Sequence, residues 1–467
     1  MIGLVAVAGY FLGYYVQAHG IEQIYLLCYL FCCLFIGHRI LQLVFNDTFI
    51  TWKPKIKIAD SEIYFRLLLL FIPLNGIAIS IYNVFADFRS IFTVVLLPDA
   101  ILLFILVLHH GFEPFRQILV KHPPFFYGYL LWVLAGILSI IAVGTDYENV
   151  LRIFFQRMIL PGLLLVFFLF FATSKAKVMD FISILMYGGF IYFGYTIYRY
   201  INFFGVPDIR ALIFNRYNFS GNTDVYFFNS NFISGILLLL IALSIYKLIE
   251  DRKNTGINLF IIFIFIVNLL FCFSRGGILT LAVMLGCSIL FYVSLYKAEY
   301  LKWVFLAGGI VGVMIFTLFA KFSSILLHFT NLFSPTGSGT ARLNMWLDSL
   351  DIFMNHWFLG YGFGEFGIYY AGLSRDANTH NLFLNMMLDS GIFGILGFMM
   401  MLVYVLIITI KTVREEGRKV SNLIFVTICG LVVIFLMGTT TGLELDFLST
   451  TWSVYLVFII LGCSLKV

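Results

Sequence analysis

Apolar runs of roughly 17 to 25 residues recur from one end of the chain to the other, separated by short polar breaks. A run of that length crosses a hydrocarbon core of about 30 Å as a helix, the form in which a backbone inside lipid satisfies its own hydrogen bonds. The pattern predicts helices near 2–17, 21–44, 63–83, 90–109, 125–143, 153–171, 179–200, 228–249, 257–273, 278–296, 303–320, 382–410, 420–437 and 448–465. Those make about fourteen spans of one all-α transmembrane domain over residues 1–467. Met1-Ile2-Gly3-Leu4-Val5 has neither a basic leader nor an Ala-x-Ala cleavage site, so the first run is read as a retained span.

The longest piece that does not span is 321–381, between the eleventh and twelfth runs. It has its own order. Ser334-Pro335-Thr336-Gly337-Ser338-Gly339-Thr340 reads as a loop ending in a helix cap, and from Ala341 the apolar residues Leu343, Trp346, Leu347, Leu350, Phe353, Met354 and Trp357 keep a helical period. Arg342, Asn344, Asp348, Asp351 and Asn355 fall largely on the other face. This helix is expected in the membrane interface, its tryptophans toward lipid or protein, with Arg342 in its first turn.

Composition agrees: 61% hydrophobic residues against 11% charged leave too little polar surface to coat a soluble globule. The seven cysteines all fall within apolar runs, which argues against a disulfide framework or a zinc site. With the N-terminus on the inner side, thirteen of fourteen lysines lie inside, as the positive-inside rule requires. Nine arginines (Arg89, Arg152, Arg157, Arg199, Arg210, Arg216, Arg275, Arg342 and Arg375) lie at or near the outer face. Guanidinium stays charged in poorly hydrated sites and grips phosphate bidentately, so this partition points to a phosphate-bearing ligand at the outer headgroup level. Interfacial snorkelling, or pairing with Asp208, Asp224 and Asp376, explains any single one of them equally well.

Arg275 stands in Ser274-Arg275-Gly276-Gly277, between two apolar runs, where paired glycines allow close backbone approach at the start of the next helix. A tight turn with an interfacial arginine is the plainer reading. Gly360-Tyr361-Gly362-Phe363-Gly364 looks like a phosphate loop, but no strand or Walker lysine accompanies it, and it is read as a hydrophobic re-entrant turn. His380-Asn381 opens a span carrying Asp389, Gly391 and Gly394. A histidine there is either a cap or a general base for a sugar hydroxyl. Glu444 and Asp446, in an outer turn after Thr439-Thr440-Thr441, are a second candidate for base or sugar ligand. Asp99 within a span, and Arg152 and Arg157 at the end of another, are candidates for ordering glycan or diphosphate.

The succession Ser274-Arg275-Gly276-Gly277, Arg342-x-x-x-Trp346, Leu359-Gly360-Tyr361-Gly362-x-Gly364, and His380-Asn381-x-x-Leu384 with Gly391-x-x-Gly394 resembles the shared region of the O-antigen ligase and Wzy-type O-antigen polymerase superfamily. The resemblance covers roughly residues 230–400, with the earlier spans alike only in type. It implies a GT-C-like glycosyltransferase in the bacterial inner membrane, acting at the periplasmic face on undecaprenyl-diphosphate-linked glycans, with no metal, nucleotide or other cofactor. Residues 321–381 are then a periplasmic segment. It further implies that Arg275 and Arg342 hold the donor diphosphate, and that His380 activates the acceptor hydroxyl for inverting transfer that expels undecaprenyl diphosphate. Asn381 and Asp389 would be accessory residues. A neutralised lipid diphosphate is already a good leaving group, and the chain has no Asp-x-Asp motif.

The expected activity is polymerisation of lipid-linked repeat units, as in O-antigen, capsule or exopolysaccharide assembly. Ligation of the finished glycan to lipid A-core is the close alternative, and protein O-oligosaccharyl transfer a weaker one. The expected partners are donor, glycan or lipid A-core acceptor, membrane lipids and a chain-length regulator, with no nucleic acid. A lipid-linked glycan flippase or other transporter would instead show internal repeats and mid-membrane charges around a central cavity.

Overall fold

The computed structural model describes residues 61–82, 88–143, 150–151, 154–204, 230–251, 254–272, 274–296, 338–364, 379, 381–416 and 429–432, with isolated positions between 29 and 44. Among them the regular structure is helical throughout: α1 (Ser61–Tyr82), α2 (Phe88–His110), α3 (Glu113–Lys121), α4 (Pro123–Val143), α5 (Leu160–Phe171, preceded by a π-helical turn Phe155–Ile159), α6 (Lys175–Phe204), α7 (Ser230–Glu250), α8 (Thr255–Phe271), α9 (Arg275–Tyr296), α10 (Ser338–Asn355) and α11 (Leu382–Glu416). Four stretches, Pro123–Val143, Lys175–Tyr198, Ile233–Glu250 and Leu382–Thr412, are long and apolar enough to cross a membrane, and shorter apolar helices lie beside them. The protein is a multi-pass membrane protein. The expected spans 2–17, 303–320 and 448–465 lie outside the described residues, as do most of 21–44 and 420–437.

Two helices show what the hydrophobic pattern hides. The expected inner connection after the fourth span holds a helix, α3, which buries Pro114 and Ile118 and exposes Arg116 and Val120. Nine residues are too few to cross, so α3 caps the bundle. The twelfth run is interrupted at Gly391, whose φ of 65° and ψ of −162° break the helix inside α11. Such a backbone is open to glycine and strained for other residues.

α4 and α11 run antiparallel in close contact. A Cβ on Gly128 would lie 2.8 Å from the Gly397 carbonyl oxygen, and one on Gly397 would lie 2.6 Å from that of Gly128. Only hydrogen at both positions allows this approach, which also seats the Trp132 ring 5.5 Å from that of Phe398. Farther along, His122 Nδ1 lies 3.3 Å from the Tyr404 hydroxyl. α4 and α11 are both long and apolar enough to cross a membrane, so this contact joins two candidate spans.

Ion pairs gather at the His122 end. His110 Nε2 lies 2.8 Å from Ser61 Oγ, which places the end of α2 beside the start of α1. Glu62 takes Arg66 at 2.6 Å and Lys177 at 2.5 Å, while Lys175 meets Glu250 at 2.6 Å. Lys247 donates to Ser183 Oγ and lies 3.6 Å from Asp251. Arg66, 3% exposed, also donates to the Leu43 carbonyl. Taking Arg66, Glu62 and Lys247 largely out of water is repaid only because each has a partner, whereas Lys175 and Lys177 stay in reach of solvent. This is the lysine-bearing surface that the positive-inside pattern places inside.

Candidate active site

At the other end of α11, α10 lies against it. Three stripes divide its circumference. Met345, Trp346, Ser349 and Phe353 face the protein, and Leu343, Leu347, Leu350 and Met354 are exposed along a second line; Asn344, Asp348, Asp351 and Asn355 are exposed along a third. A helix with separate protein, apolar and polar faces fits the boundary between lipid and water. The two tryptophans part company: Trp346 turns inward and Trp357 is 53% exposed. α10 begins at Ser338, ahead of the expected start, because short polar residues suit the first turn. Arg342 is thus in the second turn, where the opposing helix dipole is weaker.

Arg342 is half-buried and stands one turn before Trp346 on the same side of α10. The Trp346 indole donates to the Thr379 carbonyl at 2.7 Å. Asn381 then opens α11 as its cap, its side-chain oxygen accepting from the Phe383 and Leu384 amides at 3.0 and 3.2 Å. One turn on, Asn385 Oδ1 accepts from the Thr379 amide at 3.0 Å and from its hydroxyl at 2.7 Å. The residues on either side of position 380 are therefore fixed, one by α10 and the other by α11. His380 itself lies outside the described residues.

The glycine cluster folds as a docking turn. Tyr361 donates its amide to the Leu388 carbonyl at 2.7 Å, and the Ile392 amide donates to the Trp357 carbonyl at 2.9 Å. These bonds use the carbonyl and amide that the break at Gly391 releases from the helix ladder. The fit is reciprocal: a Cβ on Gly360 would lie 2.4 Å from the Leu388 oxygen, and one on Gly391 would lie 2.3 Å from the Phe358 oxygen. Asp389 Oδ1 accepts the Gly364 amide at 2.9 Å, so this buried carboxylate fastens the turn. Phe363 is buried against Phe154, ring centroids 5.5 Å apart, at the start of the π turn. That contact brings the segment containing Arg157 beside the site. Tyr129 donates to the Met158 carbonyl at 2.8 Å within the same turn.

Ser274 caps α9, its hydroxyl accepting the Gly277 amide at 3.0 Å. Arg275 is the first residue of that helix. Gly277 is pressed on α7, where an added Cβ would meet Ser234 Cβ at 2.6 Å. Gly277 thus serves both the cap and the close approach to α7. The side chains of Arg275 and Arg157 are outside the described residues, as are Arg152, Glu444 and Asp446. Asp99 is fully buried midway along α2, which packs on α1 and α5. Among the described residues no group of three or more His, Cys, Asp or Glu is placed to hold a metal ion.

Residues 260–399, from α8 through α9, α10 and the glycine turn to the Gly128 contact on α11, match the family model described as O-antigen ligase. The match covers under a third of the chain and supports a likeness to the O-antigen ligase and polymerase superfamily. No curated protein matches the chain. The matched region holds all the contacts around position 380 on α10 and α11, and it lies within the 230–400 expected from the sequence blocks. It supports O-antigen ligase or polymerase-type glycosyl transfer acting on lipid-linked glycans.

Thr379 and Asn385 were not legible as site residues. The available signal was the spacing of Asn381 and Asn385, four apart on one helix face.

Proposed function

We propose that this protein is a polysaccharide polymerase of the bacterial inner membrane, joining undecaprenyl-diphosphate-linked repeat units at the periplasmic face. The observation that carries the reading is the Trp346 to Thr379 hydrogen bond, which draws the face of α10 bearing Arg342 against the residue preceding His380. A phosphate-binding cation and a base next to each other are what metal-free transfer from a lipid diphosphate needs. In this reading Arg342 and Arg275 neutralise the diphosphate, and His380 takes the proton of the acceptor hydroxyl. That oxygen attacks the anomeric carbon from the face opposite the leaving group; the bond to phosphate breaks and undecaprenyl diphosphate departs with its electrons. Arg152 and Arg157 are candidates for ordering glycan or diphosphate, and Glu444 and Asp446 for sugar ligand or alternative base, whereas the burial of Asp99 midway along α2 speaks against that role for it.

A second reading is ligation to lipid A-core, favoured by the description of the matching family. The two share donor chemistry and differ in acceptor. Purified protein is given the lipid-linked repeat unit with and without lipid A-core. A ladder of longer lipid-linked glycans without the core identifies a polymerase, whereas product that appears only on the core identifies a ligase and overturns the first reading.

A further inference from the structure

α3 does not close completely over the end of α5. Pro114 and Ile118 pack down, yet an open notch remains between the two helices, with about 230 Å³ of empty space counting its mouth. Ile118, Leu169 and Phe170 form an apolar wall, and Gln117, Lys121 and His122 form the other side. The wall is backed by α2, since Phe170 packs on the His110 ring at 4.8 Å. His122 is held twice: its amide donates to the Ile118 carbonyl at 2.8 Å, and its Nδ1 lies 3.3 Å from the Tyr404 hydroxyl of α11. Lys121 is exposed and Gln117 and His122 are half-buried, so a ligand can reach the polar side from outside.

The charge of the helix favours an anion there. Glu113 is the one acidic residue of α3, and Gln117 Nε2 at 3.2 Å and Arg116 at 3.6 Å both turn to it. Arg116 offsets that carboxylate, which leaves the helix with the positive charge of Lys121. On the opposite flank of α3, Phe112 is 87% exposed and Val120 74%, with Arg116 one turn from each. Apolar side chains this bare are unfavourable in water, and with a cation between them they suit the headgroup layer of a membrane. The notch therefore opens among phosphates.

We infer that it is a binding site for the phosphate of an anionic phospholipid, in the leaflet that the lysine pattern places inside. Lys121 neutralises the phosphate, a ring N–H of His122 donates to one of its oxygens, and the glycerol and upper acyl carbons lie along Phe170. A zwitterionic lipid is disfavoured because its own cation would meet Lys121. None of this depends on the reaction assigned above.

The test is the melting temperature of the purified full-length protein in a non-ionic detergent, titrated with phosphatidylglycerol, phosphatidylcholine or inorganic phosphate. Saturable stabilisation by phosphatidylglycerol alone is expected, as for a ligand that binds the folded state. Lys121→Gln and His122→Gln are each expected to raise the half-saturating concentration about fivefold. Lys121→Arg keeps the charge and is expected to bind like wild type, which separates lost contact from lost folding. Lys175→Gln removes an equal charge from a residue that does not line the notch, and it too is expected to bind like wild type. Equal stabilisation by phosphatidylcholine overturns the inference, as does an equal loss with Lys175→Gln, which would make the effect one of surface charge. Stabilisation by inorganic phosphate to the same extent overturns the assignment to a lipid.

Discussion

Single residues separate anchoring from chemistry at the α10–α11 junction. Asn381 is a helix cap, so Asn381→Ala is expected to cost about 1 kcal/mol of stability, read as a lower melting temperature in detergent. Asp389 fastens Gly364, and its loss is likewise expected to loosen the turn. Arg342 and His380 carry transfer in this account. Arg342→Ala, Arg275→Ala and His380→Ala are each expected to abolish product while the protein still inserts and purifies as a monodisperse species; activity retained by His380→Ala would move the base elsewhere. The order of the motif blocks made Arg342, His380 and Asn381 visible in the sequence. Thr379 and Asn385 were invisible because their roles arise from contacts between segments, and an isolated threonine or asparagine in an apolar chain carries no pattern of its own.

At the scale of elements, the positions of the long helices were legible, since nine expected spans from 63–83 to 382–410 coincide with helices of nearly the same bounds. What escaped were features that keep the same hydrophobicity. The break at Gly391 lies inside an unbroken apolar run, and only the docking of Trp357, Gly360 and Tyr361 shows that the backbone turns there. The reading of Gly360 to Gly364 as a hydrophobic turn agrees with its buried packing against α11 and Phe154. Gly391→Ala is expected to destabilise by roughly 1–3 kcal/mol from backbone strain alone, with more from the contact at Phe358. Loss of transfer is expected with it, since the α10–α11 junction opens; melting and product yield measured together check this. α3 escaped because nine residues with Arg116, Gln117 and Lys121 look like a connection until Ile118 is seen buried.

Among the described residues, ion pairs gather at one end of the helices and the contacts flanking position 380 at the other. One end holds Glu62 with Arg66 and Lys177, Lys175 with Glu250, and Lys247 with Asp251. The other holds Arg342, Thr379, Asn381 and the start of α9. Breaking a buried pair weakens its partner's environment, so Glu62→Ala is expected to cost at most about 3–5 kcal/mol, since Arg66 keeps Asp180 at 4.0 Å and the Leu43 carbonyl, while leaving the KM for the lipid-linked donor unchanged. A change in KM would mean that the two ends are coupled. A transporter would instead bring its charges together around a central cavity. The central claim is transfer from a lipid diphosphate by arginine and histidine alone. Its most direct test is to incubate the purified protein with the undecaprenyl-diphosphate-linked repeat unit in the presence of a metal chelator and analyse both products. Longer glycans with stoichiometric release of undecaprenyl diphosphate are expected from wild type and absent with His380→Ala. Unchanged substrate with wild type, or equal turnover by the variant, would contradict the account.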